Sequence, residues 1–184
     1  MVIARAALSF AGAKAHCTCL VRDGVVAVVA HILNAGELVL RVDELEVDRF
    51  EVLAIGQMAE STRVVTESDV VLFAAITGDL NPVHVDIDHA STSSFGQRIV
   101  HGMLTAGHLS ALMAMQLPGP SAVYLSQSLQ FIRPVHIGDA ITSRVEVVEL
   151  IKTKRHVRLA TSCRNQRGKV VLEGEALILV AKRP

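Results

Sequence analysis

Residues 102–117 read GMLTAGHLSALMAMQL, and Leu117-Pro118-Gly119-Pro120 closes the run. At helical spacing its apolar residues, Met103, Leu104, Ala106, Leu109, Ala111, Leu112, Met113 and Met115, cover most of the circumference. A helix that is apolar nearly all round belongs in an interior. This stretch therefore predicts a central buried helix, and the rest of the domain has to wrap it.

Upstream of the helix, Thr66-Glu67-Ser68-Asp69 has the form of a helix start, because Thr66 can accept from the backbone three residues on. A helix is expected over Ser68–Thr77, with Gly78 at the position where left-handed geometry is favoured. Asp79-Leu80-Asn81-Pro82-Val83-His84 follows as a polar loop. Pro82 cannot continue the helix, and it pushes Asn81 toward an extended conformation. Asp86–Ser94 leaves room for one or two helical turns. Thr62–Thr66 reads as a short strand. Downstream, Val123–Phe131, Ala140–Leu150, Arg155–Cys163 and Lys169–Ala181 read as strands, the last two joined by a hairpin turn at Asn165-Gln166-Arg167-Gly168. The fold class is α+β, a long antiparallel sheet around one long helix.

Residues 48–184 are read as this main domain, and residues 1–47 as an N-terminal extension built of β-strands. In the extension, Asp23-Gly24 separates Ala15–Val21 from Val25–Leu33, a strong hairpin signal. Glu37–Val47 would add a third strand. Met1–Lys14 reads as a loose N-terminus: its apolar content is interrupted by Arg5 and falls short of a secretory signal. No apolar run reaches the length of about 18 residues that a membrane-spanning helix needs. A cytoplasmic protein without a membrane partner is expected.

Lys plus Arg equals Asp plus Glu, 18 against 18, which removes the basic excess of a nucleic-acid protein. Aromatic residues make up 3%, so binding by base stacking is also disfavoured. Cys17, Cys19 and Cys163 are too few and too uneven for a disulfide framework. His16-Cys17-Thr18-Cys19 lacks a second ligand pair at zinc-like spacing, so no metal site is expected.

Two places carry chemistry. Asp79 and His84 flank Asn81 and Pro82, and a carboxylate with an imidazole can share acid and base work on one water. Read locally, the commoner meaning is a helix-end Asp and a surface His. Val100-His101-Gly102 opens the long helix, where free N–H groups favour negative charge. A carbonyl oxygen can approach Gly102 closely, as in an oxyanion hole. The alternative reading is that His101 or the preceding chain simply caps the helix, with Gly102 allowing tight packing. Ser110 is a polar group among apolar neighbours inside that helix; it either bonds back to its own backbone or touches a catalytic group. Gln127 lines a pocket or faces solvent. His108 lies on a different face of the long helix and reads as a partly exposed or interface residue, while His31, His89, His136 and His156 have no partner pattern. A Gly-x-Ser-x-Gly elbow and a glycine-rich nucleotide loop are both missing.

Three blocks then act together: FAAITGDLNPVHVD at 73–86, FGQRIVHGML at 95–104, and LPG at 117–119 running through YLSQSLQF at 124–131 to RPV at 133–135 and Gly138-Asp139. In order and spacing they resemble the (R)-specific enoyl-CoA hydratases of the MaoC-like dehydratase family, over about residues 48–181. The resemblance implies a hot-dog fold, normally paired as a homodimer. It implies Asp79 and His84 as the catalytic pair, Asn81 ordering their loop, the Gly102 amide as holder of the thioester carbonyl, and Ser110 in support. The reaction implied is reversible hydration of a trans-2-enoyl-CoA to an (R)-3-hydroxyacyl-CoA. Coenzyme A arrives as part of the substrate, and no metal or redox cofactor is required. Residues 1–47 lie outside the pattern. Three alternatives compete: a dehydratase of 3-hydroxyacyl carrier protein, a hot-dog thioesterase, and a non-catalytic acyl-thioester binder. The thioesterase would carry a carboxylate on the long helix, and 102–117 contains no Asp or Glu.

Overall fold

In the computed structural model, residues 48–182 are described in full, and ahead of them the strand backbones of 2–10, 13–22, 25–32 and 45–46. The chain divides into two compact units, Met1–Val52 and Leu53–Pro184.

The first unit is an antiparallel sheet of β1 (Val2–Phe10), β2 (Ala13–Arg22), β3 (Val25–Ile32) and β4 (Leu45–Glu46), in that order. The β2–β3 hairpin pairs Arg22 with Val25, as a two-residue connection at 23–24 requires. The Asp23-Gly24 turn itself lies outside the described residues. The reading of Met1–Lys14 as a loose end is corrected. Val2–Phe10 pairs along its length with β2, from Val2↔Val21 to Phe10↔Ala13. An alanine-rich segment is a weak strand former alone, and pairing with a neighbour overrides that. Of the expected strand Glu37–Val47, Leu45–Glu46 is a strand; 33–44 lie outside the described residues, as do the side chains of His16, Cys17 and Cys19.

The second unit is a five-stranded antiparallel sheet with a helix packed on it. The strands are β5 (Met58–Val64), β6 (Ala122–Phe131), β7 (Ala140–Ile151), β8 (His156–Arg164) and β9 (Val170–Val180), in the order β5-β7-β8-β9-β6. Strict alternation aims one face of β7 and β8 inward: Ile141, Ser143, Val145 and Val147, then Val157, Leu159, Thr161 and Cys163, are buried. The four strands read downstream of the helix are all present. The first strand begins at Met58, earlier than Thr62, because all seven of its residues pair with β7.

Four helices connect and cover this sheet. They are α1 (Glu67–Thr77), α2 (Pro82–Val85), α3 (Ile87–Thr92) and α4 (Gly102–Met115). Thr66 caps α1 in a full capping box: its hydroxyl accepts from Asp69 N–H, and the Asp69 carboxylate accepts from Thr66 N–H. Gly78 ends the helix with φ 76°. Helix α4 lies against β7, β6, β8 and β5. Its burial corrects the expectation of a helix enclosed all round. Thr105, Leu109, Leu112 and Met113 are buried, while Met103, Gly107, Ser110, Ala111, Ala114 and Met115 are exposed. A single sheet can cover only one side of a helix, and here the other side is left to solvent.

Candidate active site

The loop between α1 and α2 is built by local bonds. Thr77 Oγ1 accepts from Asp79 N–H at 3.3 Å, and Asp79 Oδ1 accepts from Asn81 N–H at 3.3 Å. The Asn81 side chain caps α2 by accepting from Val83 N–H, and Asn81 O accepts from His84 N–H at 2.9 Å. The expected loop thus contains a helical turn. Pro82 stops one helix and occupies the first position of the next, where its missing N–H costs nothing. That turn places His84 five residues after Asp79 yet on the same side.

The segment before α4 is pinned from two directions. Ile99 N–H donates to Val83 O at 3.1 Å, and Val100 N–H donates to Val135 O at 2.7 Å. The His84 ring joins the same seam, with Nδ1 at 2.8 Å from Ile99 O. A carbonyl only accepts, so Nδ1 carries the proton and Nε2 of the neutral ring keeps its lone pair. His84 is 9% exposed.

His101 does not cap α4: its side chain makes no capping bond. Instead Nε2 donates to the Asp79 carbonyl oxygen at 3.0 Å, and the ring lies over His84 with centroids 4.0 Å apart and planes 33° apart. A carboxylate oxygen of Asp79 and one nitrogen from each of His84 and His101 lie within 4.8 Å of one another. Such a set has the donor types of a metal site. Nδ1 of His84 and Nε2 of His101 are committed to carbonyls, which leaves His84 Nε2, His101 Nδ1 and the Asp79 carboxylate with free lone pairs. A carboxylate beside an imidazole lone pair can share acid and base work on one water.

Asp79, His84 and Gly102 all line one cavity of about 520 Å³. Its other walls are mostly apolar, with Phe95, Ile99, Met103, Phe131, Ile132 and Leu172 among them. Gly102 is the first residue of α4, where helix geometry leaves the N–H without an intrahelical acceptor. The Phe131 ring closes over this position. A Cβ on Gly102 would stand 2.7 Å from Phe131 Cε1.

Of the residues singled out from sequence, Asp79, His84 and Gly102 are brought together, and Asn81 supports their loop without lining the cavity. Ser110 is not brought there; it lies on the exposed side of α4. Gln127 faces a polar cluster, donating to Thr161 Oγ1 at 3.1 Å and accepting from Tyr124 at 2.8 Å. Two contributors were not legible in the sequence: the His101 ring as a contact of both Asp79 and His84, and Phe131 as the wall over Gly102. Both arise from contacts between segments far apart in the chain.

The model of the MaoC like domain matches residues 53–167. The chain belongs to the MaoC-like family. One member, the (R)-specific enoyl-CoA hydratase of Rhodospirillum rubrum, is 46% identical over 141 residues, covering 77% of this chain and 97% of that protein. The 3-hydroxybutyryl-CoA dehydratase of Methylorubrum extorquens is 49% identical over 140 residues, 76% of this chain and 88% of the relative. Among solved structures, the (R)-hydratase from A. caviae involved in PHA biosynthesis superposes with a TM-score of 0.69 at 40% identity, over 71% of this chain and 99% of that one. The second unit is thus a MaoC-like hot-dog domain, and its helix-on-sheet layout is the one read from the sequence.

Proposed function

We propose that this protein reversibly adds water to trans-2-enoyl-CoA to give (R)-3-hydroxyacyl-CoA. One observation carries the reading: Asp79, His84 and the N-terminal amide of α4 open together onto one apolar cavity. The thioester carbonyl oxygen accepts from Gly102 N–H, which draws electron density toward oxygen and makes C3 electrophilic. A water between the Asp79 carboxylate and His84 Nε2 loses a proton to this pair as its oxygen bonds to C3. The C2=C3 π pair moves into an enolate held at Gly102. A proton from the same pair then reaches C2, so water is added with no net change in the enzyme. The acyl chain lies along Phe95, Ile99, Met103 and Leu172. No metal or redox cofactor enters this scheme.

The exposed stripe of α4, together with Leu72 and Ile76 on α1, at 62% and 80% exposure, supports pairing with a second copy in a homodimer. Ser110 lies on that stripe and would act across the subunit contact. We place the enzyme in the cytoplasm, in keeping with a chain in which no described helix is long and apolar enough to cross a membrane.

The test is the loss of enoyl absorbance when the protein meets crotonyl-CoA, beside Asp79→Asn and His84→Ala. Wild type should turn over, and each variant should lose about 10³-fold or more while staying folded. Folded wild-type protein that is inactive on both short and long enoyl-CoAs would sink the reading. Activity on the same acyl group carried by an acidic carrier protein alone would move the assignment to a carrier-protein dehydratase.

A further inference from the structure

We propose that His101 is a positioning residue, which registers the Asp79–His84 pair on the Gly102 amide. The inference rests on the hydratase reading above and deepens it. His101 is 1% exposed and holds three parts of the site at once. Its Nε2–H donates to the Asp79 backbone carbonyl at 3.0 Å, which sets where the Asp79 side chain starts. One ring neighbour is His84, at 4.0 Å between centroids, and another is Phe73 at 4.9 Å, so the His84 ring has a backstop. His101 also precedes Gly102 directly, so the ring and the amide share one peptide unit. His84 is tied to the same strand of chain through Ile99 O, two residues earlier.

A second observation separates this role from packing. His101 Nδ1 is buried and has no hydrogen-bond partner. An unpartnered buried nitrogen destabilises, and a position that only filled space would be better served by a phenyl or isobutyl group. What the imidazole adds over those groups is the Nε2–H bond to Asp79. Donor and ring are separable by mutation. His101→Phe keeps a ring beside His84 and deletes the donor. His101→Gln keeps an N–H at about the same reach and deletes the ring.

The experiment measures turnover of crotonyl-CoA and amide hydrogen exchange of residues 79–84 in wild type and both variants. In the folded Phe variant kcat should fall about 100-fold, as expected when reacting groups are misplaced by about 1 Å. KM should stay within about threefold, because the apolar walls along the acyl chain, Phe95, Ile99, Met103 and Leu172, are untouched. The Gln variant should regain at least about tenfold of that loss. Exchange across 79–84 should speed up in the Phe variant and slow again in the Gln variant. The proposal is overturned if the folded Phe variant keeps kcat within about threefold of wild type. It is equally overturned if Gln rescues nothing, if exchange over 79–84 does not change, or if neither variant folds. Should wild type itself fail to hydrate any enoyl-CoA, the functional reading fails. The exchange pattern then still decides whether the Nε2–H bond orders the loop.

Discussion

Gly102 and His84 show how a single residue's meaning depends on what stands opposite it. A glycine before an apolar helix suggests close approach of a ligand, and the structure adds a second constraint, the Phe131 ring 2.7 Å from where a Cβ would be. Phe131 is 54% exposed, so its ring has room to swing away. Gly102→Ala should therefore fold with a Tm within a few degrees of wild type. It should also lose about 10- to 100-fold in kcat/KM, because the displaced ring reshapes the cavity at the Gly102 amide, where the proposed reaction holds the carbonyl. Thermal melting beside steady-state kinetics on crotonyl-CoA checks both halves. An alanine variant of full activity would mean that the carbonyl binds elsewhere. Asp79 and His84 were readable as candidates from their spacing. Local chemistry alone favoured a helix-end Asp and a surface His, and the resemblance to the (R)-hydratases tipped the choice. His101 was readable only as a cap, since nothing in its neighbours announces a bond to a carbonyl 22 residues earlier.

Helices and strands were legible where their signals are local. Helix α1 announces itself through Thr66, Asp69 and Gly78, and the cap is a measurable contribution: Thr66→Ala should cost about 1 kcal/mol in denaturant unfolding. Helix α2 has no distinct local signal, because a proline that ends one helix also fits the first position of the next. In α4 the apolar pattern gave the element correctly and its surroundings incorrectly. Thr105 Oγ1 on its buried side has no hydrogen-bond partner. Thr105→Val removes that group at nearly constant shape, so stability should be unchanged or higher. A loss above about 1 kcal/mol would show that the hydroxyl bonds something in solution. The β6–β9 pair carries the opposite lesson. A Cβ on Gly174 would fall 1.9 Å from the Ser128 carbonyl oxygen, a backbone atom that cannot swing aside. Gly174→Ala should open the pairing at a cost of about 3 kcal/mol or more, read as a lowered denaturation midpoint.

Across the whole molecule, pH acts on stability through His108. Burial, and then the Arg63 charge, hold its imidazole below the ordinary value of 6.5, with Asp69 opposing. The unfolded chain takes up a proton at about the ordinary value while the folded chain resists. The unfolded state therefore binds more protons in that window, and stability falls as pH drops through 6.5 toward the folded value. His108→Leu should flatten the decline of Tm between about pH 7.5 and pH 5. Asp69, held low by its bonds to Thr66, contributes stability present above 3.8 and lost as pH falls below it, so the two windows are distinct. An unchanged slope in the His108 variant would assign the decline to other groups. The sequence by itself determined the α+β class, the strands after the long helix, and the residue types of the acid–base pair. The fold class and the strands rest on periodicity, caps and turns, which act within a few residues; Asp79 and His84 as candidates rest on their spacing and on the resemblance to the (R)-hydratases. Tertiary structure alone decided which side of α4 is covered, that Ser110 lies away from the cavity, that His101 braces Asp79 and His84, and that Phe131 closes over Gly102. Each of these depends on segments far apart in the chain, set by the sheet order β5-β7-β8-β9-β6 and by the seam between the α1–α2 loop and the start of α4, and no local pattern encodes what a distant segment will present.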